Sequence, residues 1–167
     1  LEEEFGLRVL GVQPVVKANG NGGKGRKGKK GPPPVELYAA GAPRSQFAEC
    51  LRTIRTNLLF MTSANESKSI LVTSCTSGEG KTTFSANLAQ TLAVSGQKTL
   101  LVDTDLRSPS VGAIFGAEVT EGLLTSLLIG ETELDAAITH SEIENLDLLL
   151  CGPPPPNPAE LLGSQQF

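Results

Sequence analysis

The sequence predicts an α/β fold in which a parallel sheet is flanked by helices. Three short apolar runs, at 69–74, 97–103 and 146–150, have the length and composition of buried strands. Stretches with helical character separate these runs, and strands that alternate with helices usually form a parallel sheet with helices on its faces. The length of 167 residues suits about one domain.

The helices are predicted from hydrophobic spacing and from capping residues. A second helix, beginning near Thr82, should end at Ser95 and Gly96, because glycine suits a helix C-terminus. Short helices are expected at 121–129 and 133–138, and a last one begins after Asn157. The first helix, from residue 44, has apolar side chains at three- and four-residue spacing. They are Phe47, Leu51, Ile54, Leu58 and Met61.

A glycine-rich turn follows the first predicted strand and leads into the second helix. Gly78 and Gly80 lack a Cβ, so the backbone can turn sharply and aim successive N–H groups inward. The helix N-terminus adds partial positive charge at the same point. Lys81 is placed to reach the terminal phosphates of a nucleoside triphosphate, and the Thr82 hydroxyl to bind Mg²⁺. The pattern predicts a P-loop NTPase fold. The predicted nucleotide-binding residues are Ser77, Gly78, Glu79, Gly80, Lys81, Thr82 and Thr83.

The loop departs at one position from the general pattern G-x-x-x-x-G-K-[ST]. Cys75 stands where the pattern has its first glycine. The predicted strand before the loop and the helix after it still favour a phosphate-binding loop over a chance glycine-rich turn. Cys50 and Cys151 lie far away along the chain and show no metal-ligand spacing, which predicts reduced thiols.

Two carboxylates follow the second predicted strand. Asp103 and Asp105 come directly after it, and the carboxyl ends of parallel strands meet at one edge of a sheet. We expect both to face the bound triphosphate, with Thr82, Asp103 and Asp105 as the oxygen ligands of Mg²⁺. A carboxylate near the γ-phosphate can also take a proton from an attacking hydroxyl. The alternative is that both side chains only cap the next turn.

Charge and composition restrict the classes of partner. The formal net charge is −4, although one stretch at 17–30 is strongly basic, so the rest of the chain is acidic and no nucleic-acid-binding surface is expected on it. The stretch 17–43 is rich in Gly, Lys and Pro, which predicts a linker that either contacts anionic lipid through 17–30 or is only solvated. No apolar run reaches the ~18 residues that span a bilayer. The cations of the stretch are Lys17, Lys24, Arg26, Lys27, Lys29 and Lys30.

Three segments together resemble the bacterial tyrosine kinases of exopolysaccharide and capsule export. Residues 49–57 are similar to the family's E-x-x-R-x-x-R-T-N helix, 78–82 to its phosphate loop and 101–109 to its second acidic motif. Weaker matches at 121–123 and 152–162 follow in the family's order. The resemblance implies that 44–167 is the N-terminal part of a P-loop tyrosine kinase domain, and that 1–16 is a juxtamembrane-like segment following a membrane helix that lies outside this chain.

The resemblance also implies roles for particular residues. Lys81 would hold the β- and γ-phosphates of ATP, Asp103 would be the base toward a tyrosine hydroxyl, and Asp105 would assist at the metal. The helix at 49–57 would contact a neighbouring subunit in a ring. Further implied partners are the inner-membrane polysaccharide export machinery and a protein-tyrosine phosphatase, at the cytoplasmic face of the bacterial inner membrane. The residues of the implied interface are Glu49, Arg52 and Arg55.

Two further functions remain open from the sequence. A partition or division-site ATPase would share the loop and the acidic strand end, but its lysine after the loop's first glycine is replaced here by Thr76. A non-catalytic nucleotide-binding assembly module is the other. The family's third acidic motif and tyrosine-rich tail are not found within 44–167, and the one tyrosine, Tyr38, is expected to anchor the linker. We expect a partial domain that binds nucleotide weakly and does not phosphorylate by itself.

Overall fold

A computed structural model describes residues 6, 8–14, 37, 44–61, 68–117 and 123–165. The chain divides into two compact units, Leu1–Ile70 and Leu71–Phe167. The basic stretch at 17–30 and Tyr38 lie outside the described residues, as does the start of the helix predicted at 121–129. The predicted division into 1–16, 17–43 and 44–167 stays a prediction.

Helix α1, Gln46–Phe60, is the main element of the first unit. Ser45 is its N-cap, and the Ser45 hydroxyl accepts a hydrogen bond from the Ala48 N–H at 3.2 Å. Phe47, Leu51 and Ile54 are buried, as their spacing predicted. The expected amphipathic helix is therefore confirmed over Gln46–Phe60, whereas the prediction was wrong for Met61, which follows the helix and is 51% exposed.

Residues 8–14 pack along α1 within the same unit. The Cys50 thiol donates to the Val12 carbonyl at 3.0 Å, and Asn57 Nδ2 donates to the Leu10 carbonyl at 2.8 Å. A Cβ at Gly11 would lie 2.8 Å from Ile54 Cγ1, so only glycine lets the backbone approach so closely there. Backbone carbonyls and one glycine thus attach this segment to the helix.

The second unit contains a three-stranded mixed sheet in the order β1-β3-β2. The strands are β1, Thr99–Val102, β2, Thr139–His140, and β3, Leu146–Leu149. β1 and β3 are parallel, as predicted, whereas β2 and β3 are antiparallel. The expectation of an entirely parallel sheet was wrong because the few residues between β2 and β3 allow a hairpin but no crossover.

Five helices accompany the sheet in the described part of this unit. Helix α2, Lys81–Val94, ends just before Ser95 and Gly96, and Gly96 has φ 89°, as predicted. Helix α6, Pro158–Leu162, has Asn157 as N-cap and Pro158 in its first turn, also as predicted. The short helix α3 was not predicted. The buried core cluster is Leu106, Leu124, Leu128, Ala137, Leu149 and Cys151. The helices are α2, Lys81–Val94; α3, Val111–Phe115; α4, Leu124–Leu128; α5, Leu134–Ala137; and α6, Pro158–Leu162.

The apolar run at 69–74 does not form the strand that the sequence predicted. It belongs to no described sheet, and the side chains of Ile70 and Leu71 are 47% and 84% exposed. A strand requires a neighbour to pair with, and β1 has β3 as its single partner among the described strands. Hydrophobic composition indicated a buried strand here, but it could not supply the partner.

Candidate functional site: a phosphate loop and an acidic turn

The loop that precedes α2 has the backbone of a phosphate cradle. Gly80 is the residue before the helix and has φ 90°, a left-handed conformation that favours glycine, and no atom lies within 4 Å of the place of a Cβ. The first turn of α2 begins immediately after it. The amides of Lys81, Thr82 and Thr83 precede the first intrahelical bond, from the Phe84 N–H to the Gly80 carbonyl at 2.8 Å. These amides can therefore donate to an anion.

Lys81 is held over the loop by a residue that the sequence analysis missed. Lys81 Nζ donates to the Ser74 hydroxyl at 3.1 Å, and that hydroxyl donates to the Thr76 carbonyl at 2.8 Å. Ser74 was assigned only to the predicted strand. No local sequence signal identifies this contact, because it joins side chains seven positions apart.

A carboxylate joins the loop's beginning to its end. Glu79 Oε2 accepts a hydrogen bond from the Thr76 N–H at 3.2 Å, although the Glu79 side chain is fully exposed. Hydrogen bonds from the Thr76 amide and hydroxyl lower the pKa of Glu79 below its usual value, with smaller contributions from Ser74 and Cys75. The charged form of Glu79 is therefore the one that the loop binds.

Asp103 follows β1 directly and is almost completely buried. Its Oδ2 accepts hydrogen bonds from the amides of Ser110 and Val111, both at 3.0 Å, and its Oδ1 accepts from the Asp105 amide at 3.2 Å. The exposed fraction of the residue is 5%. Asp103 therefore fixes the turn that leads into α3, as the capping alternative predicted. With three hydrogen bonds accepted, its carboxylate retains capacity for one further contact.

Asp105 is more exposed and caps a shorter turn. Its Oδ1 accepts hydrogen bonds from the Ser108 amide at 3.0 Å and the Arg107 amide at 3.3 Å. The Asp105 side chain is exposed to solvent. Asp105 can therefore bind water or an ion at little cost in desolvation.

Ser110 brings the loop and the acidic turn together. Its hydroxyl donates to Thr82 Oγ1 at 3.1 Å, while its amide donates to Asp103 Oδ2 at 3.0 Å. Ser110 was also missed by the sequence analysis, because a serine after Pro109 reads as an ordinary turn residue. The contact joins residues 28 positions apart and places the predicted magnesium ligand Thr82 beside the turn that Asp103 holds.

This donor set fits a magnesium nucleotide. A hydroxyl and two carboxylates are hard oxygen ligands, and Mg²⁺ commonly uses one or two of these together with water and phosphate oxygens. Among the residues that the structure describes, no cluster of three His, Cys, Asp or Glu side chains could hold a metal ion by itself. The nucleotide's phosphates would thus have to complete the metal site.

Asp103 and Asp105 place two negative charges near the Cys151 thiol. Burial, together with the charges of Asp103 and Asp105, raises the pKa of the Cys151 thiol to about 11. Those charges disfavour a second anion nearby. The same charges attract a divalent cation, which is the electrostatic condition for binding Mg²⁺ between the carboxylates and a triphosphate.

The residues of the implied subunit interface lie on α1, in the first unit. Arg52 and Glu49 form an ion pair three residues apart, with the Glu49 side chain more exposed than that of Arg52. Arg55 is half-buried. An exposed pair of this spacing contributes only a few tenths of a kcal/mol to helix stability, so it does not by itself explain these residues. Their role in assembly stays a prediction.

The described helices give no sign of a membrane span. None of them has both the length and the apolar character that crossing a bilayer would require.

The chain is similar to bacterial protein kinases along most of its length. Residues 67–153 match the sequence family described as an AAA domain. The tyrosine-protein kinase YwqD of Bacillus subtilis is 46% identical over 129 residues, which cover 77% of this chain and 54% of that protein. The chain therefore spans about half the length of this relative.

Two solved structures have the same fold. The kinase domain of the Escherichia coli tyrosine kinase ETK matches with a TM-score of 0.79 and 32% identity, over 96% of this chain and 62% of that chain. The chimerical protein CapA2B2 matches with a TM-score of 0.76 and 37% identity, over 99% of this chain and 65% of that chain. The predicted P-loop α/β class is confirmed, and so is the likeness to bacterial tyrosine kinases.

Proposed function

Since the chain belongs to the AAA domain family and its relatives are bacterial tyrosine-protein kinases, we propose that it is the nucleotide-binding part of an ATP-dependent protein-tyrosine autokinase. The family's phosphate loop implies nucleotide binding, and the finer choice of ATP with Mg²⁺ rests on the tyrosine-kinase likeness and on the oxygen donors. The proposed reaction transfers the γ-phosphoryl group of ATP to a tyrosine hydroxyl.

One observation supports this proposal most strongly. The hydroxyl of Ser110 contacts the Thr82 hydroxyl at 3.1 Å while its amide binds Asp103. A phosphate loop alone would bind anions, but a phosphate loop whose Mg²⁺-binding hydroxyl lies beside a fixed carboxylate turn can position both a metal and an acceptor. Phosphoryl transfer depends mostly on such positioning and on charge stabilisation.

The residues have separate roles in the proposed reaction. Lys81 would exchange its hydrogen bond with Ser74 for the β- and γ-phosphates, and the first amides of α2 would donate to the same phosphates. Thr82 and Asp105 would hold Mg²⁺, which would supply positive charge to offset the charge that develops on the phosphates. Asp103 accepts the proton of the tyrosine hydroxyl through its remaining lone pair. The loop residues from Ser77 to Thr83 surround the phosphates.

We expect the Lys81→Met variant of the complete natural gene product to lose tyrosine phosphorylation, by at least about a hundredfold, because it removes the cation that binds the transferred phosphate. The measurement is phosphotyrosine mass spectrometry after incubation with Mg-ATP. Lys98→Met is the matched control, because Lys98 is exposed in the connection between α2 and β1.

The other outcomes separate the alternatives. Lys81-dependent release of ADP without phosphotyrosine would replace the kinase by a switch ATPase. If neither product forms, a non-catalytic assembly module remains. Phosphotyrosine that persists at the wild-type level in Lys81→Met would contradict the assignment of the loop.

We further propose that α1 contacts a second copy of the chain in a ring-like homo-oligomer. Support comes from the E-x-x-R-x-x-R pattern and from the exposure of the Glu49 side chain on α1. The Arg52→Ala, Arg55→Ala double variant of the oligomeric natural protein should dissociate to smaller species in light scattering, whereas Arg44→Ala, an exposed residue before the same helix, should not. Unchanged oligomer size in the double variant would refute the interface.

The biological setting is part of the same proposal. By likeness to the kinases of exopolysaccharide and capsule export, the protein would regulate polysaccharide polymerisation and export at the cytoplasmic face of the bacterial inner membrane. Its partners there would be the export machinery, a protein-tyrosine phosphatase and, through 17–30, anionic lipid.

A further inference from the structure

The start of the phosphate loop is not held by the sheet. Residues 68–74 form no strand, so no ladder of backbone hydrogen bonds fixes the chain where it enters the loop. Cys75 also replaces the first glycine of the general pattern. A phosphate-binding loop binds more tightly when its amides point at the phosphate site before the nucleotide arrives. A contact other than strand pairing therefore has to hold this loop in place.

A side-chain network supplies that contact. The Thr76 N–H donates to Glu79 Oε2 at 3.2 Å, which connects the loop's first half to its last residue before Gly80. Ser74 extends the network, because its hydroxyl donates to the Thr76 carbonyl at 2.8 Å and accepts from Lys81 Nζ at 3.1 Å. Both ends of the loop are therefore tied to each other through Thr76.

We propose that Glu79 is a positioning residue, whose carboxylate binds the Thr76 amide and so holds the loop in the form that receives a nucleotide's phosphates. The inference deepens the proposed function and rests on it. The carboxylate binds the amide of Thr76, which lies outside the proposed phosphate-binding residues 77–83. Glu79 can thus stay in place when the nucleotide binds.

The opposite role would be competition. A carboxylate within a phosphate cradle could occupy the anion site itself and would then have to leave before a nucleotide enters. The two roles predict opposite effects of removing the side chain. If Glu79 positions the loop, that effect is lost in Glu79→Ala and largely kept in Glu79→Gln, because the glutamine amide oxygen can still accept from the Thr76 N–H. If the Glu79 carboxylate competes with phosphate, both substitutions weaken that competition, and both variants bind nucleotide more tightly.

The first test is binding of a fluorescent ADP analogue with Mg²⁺ to the 167-residue chain. Glu79→Ala should weaken binding about tenfold, the effect of one hydrogen bond to a charged group. Glu79→Gln should bind the analogue much more tightly than Glu79→Ala does. Both substitutions remove a negative charge near the phosphates, and this change by itself favours binding. Glu131→Ala, an exposed residue far along the chain, is the control. If Glu79→Ala binds the analogue as tightly as Glu79→Gln or more tightly, Glu79 does not position the loop.

The second test requires no nucleotide. Hydrogen exchange of the Thr76 amide should be several-fold faster in Glu79→Ala than in the wild type or in Glu79→Gln, while the Ala48 amide, which Ser45 caps, should be unchanged. Equal exchange rates of the Thr76 amide in all three proteins would refute the positioning role of Glu79. If the wild-type chain binds the analogue no better than Lys81→Met does, the proposed function fails instead, and the exchange of Thr76 still decides the role of Glu79.

Discussion

Replacing Asp103 with alanine should lower the free energy of unfolding of the second unit by about 2 to 4 kcal/mol. The substitution removes the acceptor of three backbone amides, those of Asp105, Ser110 and Val111. Val111 is buried, so its amide would not find water instead. Each buried donor left without a partner costs about 1 to 3 kcal/mol. The measurement is urea unfolding followed by circular dichroism.

Asp105→Ala is the matched control for this experiment. Asp105 also accepts two amide hydrogen bonds, but its side chain is exposed and water can replace it. Its loss should cost less than about 1 kcal/mol. Asp103→Asn should fall between the two, because it keeps one acceptor oxygen and turns an N–H₂ group toward donors. A smaller effect of Asp103→Ala than of Asp105→Ala would mean that the buried turn is not what Asp103 holds.

Replacing Gly152 with alanine should cost about 3 to 5 kcal/mol, which is most of the stability of a marginal domain. Gly152 has φ 96°, where an L-residue is strained, and its Cβ would lie 2.3 Å from Thr125 Oγ1 and 2.9 Å from Leu123 Cβ. Both neighbours are buried, and the Thr125 and Leu124 amides bind the carbonyls that precede Gly152, so neither side can yield easily.

Gly130→Ala separates the two causes of this loss. Gly130 also has a positive φ of 78°, but no atom lies within 4 Å of its missing Cβ. Its substitution should therefore cost only the backbone strain, about 1 to 2 kcal/mol. Thermal unfolding of the two variants gives the steric contribution as their difference. Equal melting temperatures would show that the chain around Thr125 rearranges freely.

The sequence predicted the elements whose signals are local. The α1 periodicity, the Gly96 terminus of α2 and the Asn157–Pro158 start of α6 are properties of a few adjacent residues, and the structure confirms each. The runs that became β1 and β3 were recognised by their apolar composition. Capping and spacing act within one turn of chain, which is why they can be read from it directly.

Several of the misses depend on contacts between distant residues. The run at 69–74 looked like a buried strand, but pairing requires a neighbouring strand that its own composition cannot provide. β2 was missed because two residues, Thr139 and His140, carry no periodicity. The site was predicted in part: the loop and both aspartates were named, whereas Ser74 and Ser110 act through hydroxyl contacts across 7 and 28 positions. Nothing local distinguishes such serines from ordinary turn residues.

The difference in environment among the three cysteines makes the loop chemically observable. With a thiol pKa of about 11, Cys151 has only about a thousandth of its population as thiolate at pH 8, and it is buried as well. Burial also raises the pKa of Cys50. Cys75 is exposed within the phosphate loop itself. An alkylating dye at mild pH should therefore attach to Cys75 first. The rate of this labelling would report whether the phosphate loop is occupied, and no engineered cysteine is needed.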